Sequence, residues 1–212
     1  MNDLSNRINK QVLHTATDFL CKQDDDIGKI VKRHGYPPLW SRSANFSTLV
    51  QIILEQQVSL SSAKATFNKL NTVVIAITPE NILKYTQNDL NKMGFTRQKA
   101  SYCLGLAESI INKEICLKKI AKLDARSAHE ELVKMRGIGV WSANIYLLMA
   151  LRHPDIWPQG DLALNTAIYQ IKRLRKKPTD ERLANIVSKW RPWRSVAARI
   201  LWHFYLSEKS KK

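Results

Sequence analysis

The amino-acid sequence predicts an all-α fold, and three observations carry that prediction. Apolar residues recur at helical spacing through almost the whole chain, and the periodic segments begin and end at capping signals. Only a brief β-branched run at residues 72–77 resembles a strand. A Gly-x-Gly turn at Gly137 and Gly139 lies between two helical patterns and indicates a helical hairpin. We therefore expect about ten to twelve helices and no β domain.

The N-terminal quarter predicts two helices followed by an aromatic loop. Residues 2–21 form an amphipathic pattern, and residues 24–34 form a shorter one. Residues 35–40 then stop helix formation, because the two prolines lack N–H donors and restrict the residues before them. This loop carries Tyr36 and Trp40. These aromatic side chains either pack on the core and close the domain, or line a pocket.

The middle of the chain predicts a series of short, well-capped helices. Residues 46–70 contain two helical patterns, separated by a polar break at residues 56–59 that includes the unusual pair Gln56 and Gln57. The further helices each follow a residue whose side chain suits an N-cap: Thr78, Thr86, Thr96 and Asp124.

The last quarter predicts three more helices and a strongly basic region. Apolar positions indicate one helix after Asp161, at Leu162, Leu164, Ile168 and Ile171, and two more at residues 181–190 and 195–206. Residues 170–212 contain 13 lysines or arginines, interleaved with tryptophans. They are either a solvated face or a basic wall beside an aromatic pocket.

The charge balance points to a polyanionic partner. The chain of 212 residues has 34 lysines and arginines against 18 acidic residues, a formal net charge of +16. Nucleic acid explains this excess more simply than solubility or an anionic membrane does. No apolar run is long enough for a membrane span, and residues 1–10 lack the apolar core of a signal peptide. We expect a monomer in the cytoplasm, associated with the nucleoid, or in the nucleus of a eukaryote.

Cysteines and histidines show no metal-ligand spacing. The cysteines are Cys21, Cys103 and Cys116, without a Cys-x-x-Cys pair, so neither a disulfide framework nor a zinc or iron–sulfur site is supported. We expect reduced, mostly buried thiols.

Residues 132–161 hold the pattern around which the chain is organised. The two glycines allow backbone conformations that a side chain would forbid, and a helix starts directly after them. Several backbone N–H groups can then point outward together and receive a phosphate oxygen. This pattern predicts a site that binds the backbone of a nucleic acid.

Five segments, in this order, resemble the helix-hairpin-helix (HhH-GPD) superfamily of DNA glycosylases, and within it the 3-methyladenine DNA glycosylase II type. They are residues 52–59 (IILEQQVS), 93–100 (MGFTRQKA), 135–144 (MRGIGVWSAN), 157–161 (WPQGD) and 191–195 (RPWRS). The resemblance covers roughly residues 39–205 and implies a two-lobed helical fold with a DNA-binding cleft between the lobes. It implies a lobe of residues 1–43 plus 159–212 and a lobe of residues 44–158, with the hairpin at about 126–151.

The resemblance also implies the chemistry. The family's catalytic aspartate falls on Asp161, where a carboxylate can stabilise the positive charge that develops on the deoxyribose; the alternative is an ordinary N-cap. Trp141 stands where relatives that cleave the strand place a Schiff-base lysine, which implies a monofunctional enzyme. Trp141 and Trp202 match aromatics that hold the extruded base, with Tyr36 and Trp40 as further candidates. For Trp202, packing in the core is an open alternative.

The remaining implied roles concern DNA binding. Gln57 matches the residue that wedges into the gap left by the flipped base. The phosphate site comprises residues in and beside the turn: Lys134, Gly137, Gly139, Val140 and Trp141. Lys134 is alternatively a surface charge. The backbone carbonyls of Val133, Met135 and Ile138 match positions that hold a structural Na⁺ or K⁺ in relatives.

The resemblance thus implies a glycosylase that excises alkylated purines, of the 3-methyladenine and 7-methylguanine type, from damaged double-stranded DNA and leaves an abasic site in base excision repair. No catalytic cofactor is expected, and the cysteines of the iron–sulfur branches are missing. Two alternatives stay open: a non-catalytic DNA-binding protein that keeps the hairpin, and a bifunctional oxidised-base glycosylase. The sequence alone leaves open which damaged bases are accepted.

Overall fold

A computed structural model describes residues 7–210, which form helices and connecting loops without a strand. The all-α prediction is thereby confirmed. The described part of the chain contains thirteen helices: α1 (Lys10–Gln23), α2 (Asp25–His34), α3 (Phe46–Glu55), α4 (Leu60–Val73), α5 (Pro79–Ile82), α6 (Gln87–Lys92), α7 (Arg97–Ile111), α8 (Leu117–Ile120), α9 (Ala125–Val133), α10 (Val140–Met149), α11 (Leu162–Ile171), α12 (Asp180–Ser188) and α13 (Arg194–Lys209). None of the helices within residues 7–210 combines the length and the apolar character that a bilayer crossing requires.

Capping side chains fix where most helices begin. The four residues identified as caps in the sequence all accept backbone N–H groups from the first turn of the following helix: Thr78, Thr86, Thr96 and Asp124. Such bonds satisfy amides that have no partner inside the helix, so they determine the helix start locally.

One local prediction, the start of the first helix, was wrong. Residues 7–9 precede α1 instead of belonging to it, because Asn9 caps the helix and accepts the N–H of Val12 at 2.8 Å; residues 2–6 of that prediction lie outside the described residues. The β-branched run at residues 72–77 makes no strand. It spans the end of α4 and a loop in which Ile75 is fully exposed while Val74 and Ile77 are buried, and no strand lies beside it among residues 7–210.

One compact unit comprises the described residues up to Ser41 and from Arg152 onward. In this unit α13 packs against α11, α2 and α1. An ionic cluster joins distant segments: Lys172 contacts Asp24 at 2.7 Å and Asp26 at 3.0 Å, and the buried indole of Trp190 donates to Asp24 at 2.9 Å. These contacts link the α1–α2 junction to the end of α11 and to the segment after α12.

The other compact unit is Arg42–Leu151. Its centre is α3, in which seven of ten residues are buried and which packs against α4, α7 and α10. A helix that packs against other helices on most sides needs few polar residues, which explains why apolar residues dominate its sequence. Helices α5 and α6 pack against α7, and α9 packs against α10 to form the predicted hairpin.

The boundaries between the units lie at 41/42 and 151/152, whereas the sequence placed them at 43/44 and 158/159. Residues 152–158 group with the first unit because α13 holds them. Ser195 donates its N–H to the carbonyl of Pro154 at 3.0 Å, and Arg194 pairs with Asp155 at 2.6 Å.

Candidate functional site

Asp161 begins α11 and is held at a defined position by its own hydrogen bonds. Its Oδ1 accepts the backbone N–H of Leu164 at 3.0 Å, and Nε1 of Trp202 lies 3.3 Å from the same oxygen. Gly160, directly before it, has a φ of +82°, a conformation that glycine adopts without strain. Asp161 therefore caps α11, and this bond leaves the catalytic role that the sequence predicts for the same carboxylate compatible with the structure.

Trp202 belongs to a fully packed stretch of α13. All eight residues from 195 to 202 are buried, and Trp202 itself is 8% exposed. Most of the Trp202 ring is thus packed in the core, which is the alternative that the sequence left open. Its indole N–H contacts the candidate catalytic carboxylate. The structure brings Asp161 and Trp202 together through the packing of α11 on α13.

The other two aromatics of this unit have different surroundings. Tyr36 stacks on His14 with ring centroids 4.3 Å apart, and its hydroxyl donates to Asp18 at 2.5 Å, so it lies against α1. Trp40 is half-buried, has a φ of +45° and meets His203 edge-on at 6.4 Å. Burial lowers the pKa of His203 below its ordinary value, which favours a neutral ring beside Trp40 at pH 7.

Leu162, next to Asp161, is one of the apolar positions by which the sequence predicted α11, but it is not buried. Its side chain is 81% exposed, whereas Leu164 and Ile168 of the same helix are buried. An apolar side chain exposed at the first position of α11 lies beside the candidate carboxylate. No feature of the sequence indicates this exposure, because the apolar spacing of the helix includes Leu162 without any break.

The predicted basic wall of the C-terminal region is wrong in part. Trp190 is fully buried and bonded to Asp24, and Arg199 is also buried and donates to the carbonyl of Leu39 at 2.8 Å. These two side chains are therefore part of the core and not of a basic surface. The exposed cations in the described part of this region are Arg173, Arg175, Lys176, Lys177, Arg182, Lys189, Arg191 and Lys209.

In the hairpin, the two glycines serve different purposes. Gly137 has a φ of +90°, and a Cβ there would overlap the ring of Tyr102. Gly139 has a φ of −83° and ψ of 179°, an extended conformation open to any residue, and a Cβ there would meet no atom within 4 Å. The expectation that both glycines are needed for their backbone conformation was therefore wrong for Gly139.

Gly139 is the N-cap of α10, and among residues 7–210 no side chain caps this helix start. Gly139 thus offers the first-turn amides of α10 no side-chain acceptor of its own, unlike the N-cap residues of most other helices in the described chain. Val140 is 52% exposed and Trp141 is half-buried. The N-terminus of a helix attracts anions through its N–H groups and its dipole, so this end suits a phosphate.

Lys134 and the carbonyls of the turn lie at the other end of this hairpin connection. Lys134 is exposed and pairs with Glu131 at 2.6 Å, which raises the pKa of its ammonium group. The carbonyl of Met135 accepts the N–H of Ile138 at 3.0 Å. Because α9 ends at Val133, its last carbonyls carry the negative end of the helix dipole, and such oxygens fit a hard monovalent cation.

Gln57, the predicted wedge, is exposed in the turn between α3 and α4 and has a φ of +56°. The sequence analysis noted its neighbour Gln56 but missed its contacts. Nε2 of Gln56 donates to the carbonyl of Gly137 and to the hydroxyl of Ser142, both at 2.8 Å. The sequence analysis also missed Lys99, whose ammonium group donates to the carbonyls of Leu54 and Gln56, at 2.8 Å each.

The thiols differ from the expectation of mostly buried groups. Only Cys103 is buried, where burial raises the pKa of its thiol to about 12, while Cys21 is half-buried and Cys116 exposed. Within residues 7–210, no group of three or more His, Cys, Asp or Glu side chains could hold a metal ion.

Comparison with known proteins gives consistent matches. A family model described as "HhH-GPD superfamily base excision DNA repair protein" matches residues 50–192. The chain is 33% identical over 123 residues to a DNA-3-methyladenine glycosylase of Bacillus subtilis, covering 58% of this chain and 41% of that one. It is 25% identical over 184 residues to the putative DNA-3-methyladenine glycosylase YfjP of the same species, covering 83% and 64%. The chain thus spans less than two thirds of either relative.

A solved structure matches the fold over nearly the whole chain. It is a Schizosaccharomyces pombe 3-methyladenine DNA glycosylase in complex with abasic DNA, with a TM-score of 0.81 and 24% identity. The match covers 92% of this chain and 97% of that one. At this identity the likeness establishes the fold.

Proposed function

The chain belongs to the HhH-GPD superfamily of base excision DNA repair proteins, and from this premise we propose that it is a monofunctional DNA glycosylase that excises alkylated purines and leaves an abasic site. The observation that carries the proposal is the fixed carboxylate of Asp161, oriented by the N–H of Leu164 and the indole of Trp202. A carboxylate that is already oriented needs no reorganisation when charge develops in the reaction.

In the proposed reaction the C1′–N bond of the damaged nucleotide breaks, and its electron pair leaves with the base. Positive charge then develops on the deoxyribose, and Asp161 stabilises it electrostatically. A water oxygen adds to C1′ and loses a proton, which completes the abasic site. An alkylated purine already carries positive charge and leaves readily, so the reaction needs no dedicated general acid.

The position of Trp141 supports hydrolysis without strand cleavage. Strand cleavage of the lyase type requires an amine that forms a covalent imine with C1′. Trp141 lies in the first turn of α10, at the position where the family's lyases carry that lysine, and an indole cannot form an imine. The stacking roles of Trp141, Trp202, Tyr36 and Trp40 stay predictions.

The proposed DNA contacts depend on charge and on the hairpin. With a net charge of +16, the protein should bind duplex DNA through phosphates, and its affinity should fall steeply as salt rises. The uncapped start of α10 supplies amides for one phosphate. The carbonyls of Val133, Met135 and Ile138 would hold a Na⁺ or K⁺ beside it, which would add positive charge at the phosphate.

The test is release of free base from a duplex that contains a single 7-methylguanine or 3-methyladenine. We expect the wild-type protein to release the base and to leave a strand that breaks only after alkali treatment. Absence of release at every pH, with DNA binding intact, would instead support the non-catalytic alternative. A covalent DNA adduct trapped by borohydride would contradict the role of Trp141 and support the bifunctional one.

A further inference from the structure

The turn at residues 56–59 holds Gln57 in a backbone conformation that glutamine rarely adopts. Its φ of +56° lies in the left-handed region, where the Cβ of an L-residue crowds the backbone. Such a conformation persists only when the surroundings determine it. The side chains of Gln57 and Val58 are exposed, so their burial does not hold the turn in place.

The ammonium group of Lys99 contacts the backbone of this turn. Lys99 extends from α7, and its ammonium donates to the carbonyl of Leu54 in the last turn of α3 and to the carbonyl of Gln56, directly before Gln57. A lysine at the end of a helix satisfies carbonyls that have no partner within the helix and interacts favourably with the dipole. Burial lowers the pKa of the Lys99 ammonium group. An electrostatic interaction with Cys103 raises this pKa, but by less.

Gln56 links the same turn to the hairpin. Its single amide nitrogen donates to the carbonyl of Gly137, inside the Gly-x-Gly turn, and to the hydroxyl of Ser142, in the first turn of α10. Ser142 is 2% exposed, so the bond is shielded from water. The candidate wedge and the candidate phosphate site are therefore joined by one side chain within the unit Arg42–Leu151.

We infer that Lys99 and Gln56 are positioning residues for damage recognition: together they keep Gln57 in its left-handed conformation and at a fixed place relative to the hairpin. A phosphate bound at the hairpin then sets where the Gln57 side chain enters the duplex. The inference rests on the proposed function, and on the wedge role that the family resemblance implies for Gln57. It adds two residues that contact neither the base nor the sugar.

The experiment compares binding to two duplexes of the same sequence, one undamaged and one with a tetrahydrofuran abasic analogue, by fluorescence anisotropy. We expect wild type to prefer the abasic duplex, and Lys99→Met and Gln56→Ala to lose about five- to tenfold of that preference, while their affinity for undamaged DNA changes less than about twofold. Lys99→Arg keeps a cationic donor and should restore part of the preference.

The chain offers matched controls for both substitutions. Lys69 donates to the carbonyl of Lys92 at 2.8 Å, and Gln87 donates to the carbonyl of Arg97 at 3.2 Å. Both bonds are exposed side-chain-to-backbone contacts in the same unit that do not involve the Gln57 turn. Lys69→Met and Gln87→Ala should therefore leave the preference for abasic DNA at the wild-type value.

A double-mutant cycle separates positioning from general stabilisation. In a Gln57→Ala background the wedge is gone, so Lys99→Met should cause no further loss of preference. Additive losses, or equal losses for both duplexes, would overturn the inference, as would a wild type without any preference. Because Gln56→Ala tests the same idea, misfolding of one variant still leaves a decisive result. A wild type that prefers abasic DNA yet releases no base would refute the proposed function alone.

Discussion

Nε1 of Trp202 lies 3.3 Å from Oδ1 of Asp161, the same oxygen that accepts the N–H of Leu164 at 3.0 Å. Two donors from two helices thus hold one carboxylate oxygen. A capping bond alone would fix the start of α11, and the second donor, on a buried indole, restricts the side chain further. This arrangement allows structural and catalytic roles of Asp161 to be separated by experiment.

Asp161→Asn should remove activity without unfolding the protein. Asparagine caps helices as well as aspartate does, so we expect a melting temperature within about 2 °C of wild type. The loss of negative charge should slow base release by about 10²- to 10³-fold, which single-turnover assays on a 7-methylguanine duplex can measure. Equal release by both proteins would refute the assignment of Asp161 while leaving the enzyme class intact.

Trp202→Phe should have a smaller, kinetic effect. Phenylalanine keeps most of the buried ring but cannot donate to Asp161, so base release should fall by about three- to tenfold, corresponding to one hydrogen bond. Combination with Asp161→Asn should give no additional loss if the indole acts through the carboxylate. An additive loss would point instead to direct contact of Trp202 with the base.

Gly137 and Gly139 should respond oppositely in stability. Gly137→Ala places a Cβ against the Tyr102 ring at a positive φ, so we expect a loss of about 2–4 kcal/mol in the free energy of unfolding. Gly139→Ala has room and an ordinary φ, so it should change that free energy by less than about 1 kcal/mol. Urea denaturation of both variants measures the difference.

Gly139→Asp should weaken DNA binding without changing base preference. A carboxylate at the start of α10 competes with a phosphate for the same amides, so the affinity for every duplex should fall about equally. To test this, base-release rates are measured on a panel of lesions. Each rate is divided by the affinity for the undamaged duplex of the same sequence. A changed order of preferred lesions would contradict a role confined to the phosphate.

Lys172→Met should be less stable than the wild-type protein above about pH 5. In acid, the stabilities of the two proteins should differ less. Burial raises the pKa of Asp24, but hydrogen bonds from Lys172 and Trp190 outweigh it, so the net pKa lies below its ordinary value. A lowered folded-state pKa stabilises the protein above the unfolded value of about 3.9, and the contribution is lost as pH falls below it. The pKa of Lys172 is raised, so its own contribution is lost only in strong alkali.

Thermal melting between pH 3 and pH 7 tests this, with Lys29→Met as the matched control. Lys29 also pairs with Asp26, at 3.1 Å, but its side chain is 70% exposed, so its removal should change stability little at any pH. A wild-type-like acid profile for Lys172→Met would show that the ionic cluster contributes nothing to the pH dependence.

Local signals in the sequence predicted most of the secondary structure and the position of the hairpin. The cap residues Thr78, Thr86, Thr96 and Asp124 determine helix starts through bonds within three residues, which is why they can be recognised without a fold. The same holds for Asp161 as a cap. Where a local signal competed with another, as at Asn9 inside the first amphipathic pattern, the boundary was misplaced.

The sequence by itself determined that the chain is helical, that a glycine turn joins α9 to α10, and that an aspartate caps α11. Only the tertiary structure decided which side chains act on these features. Lys99 lies 43 residues from Gln56, Gln56 lies 81 from Gly137, and Trp202 lies 41 from Asp161. Contacts at such separations leave no periodicity or spacing in the sequence, because they arise from the packing of whole helices. The same packing buried Trp190 and Arg199 in a region that the sequence presented as a basic surface.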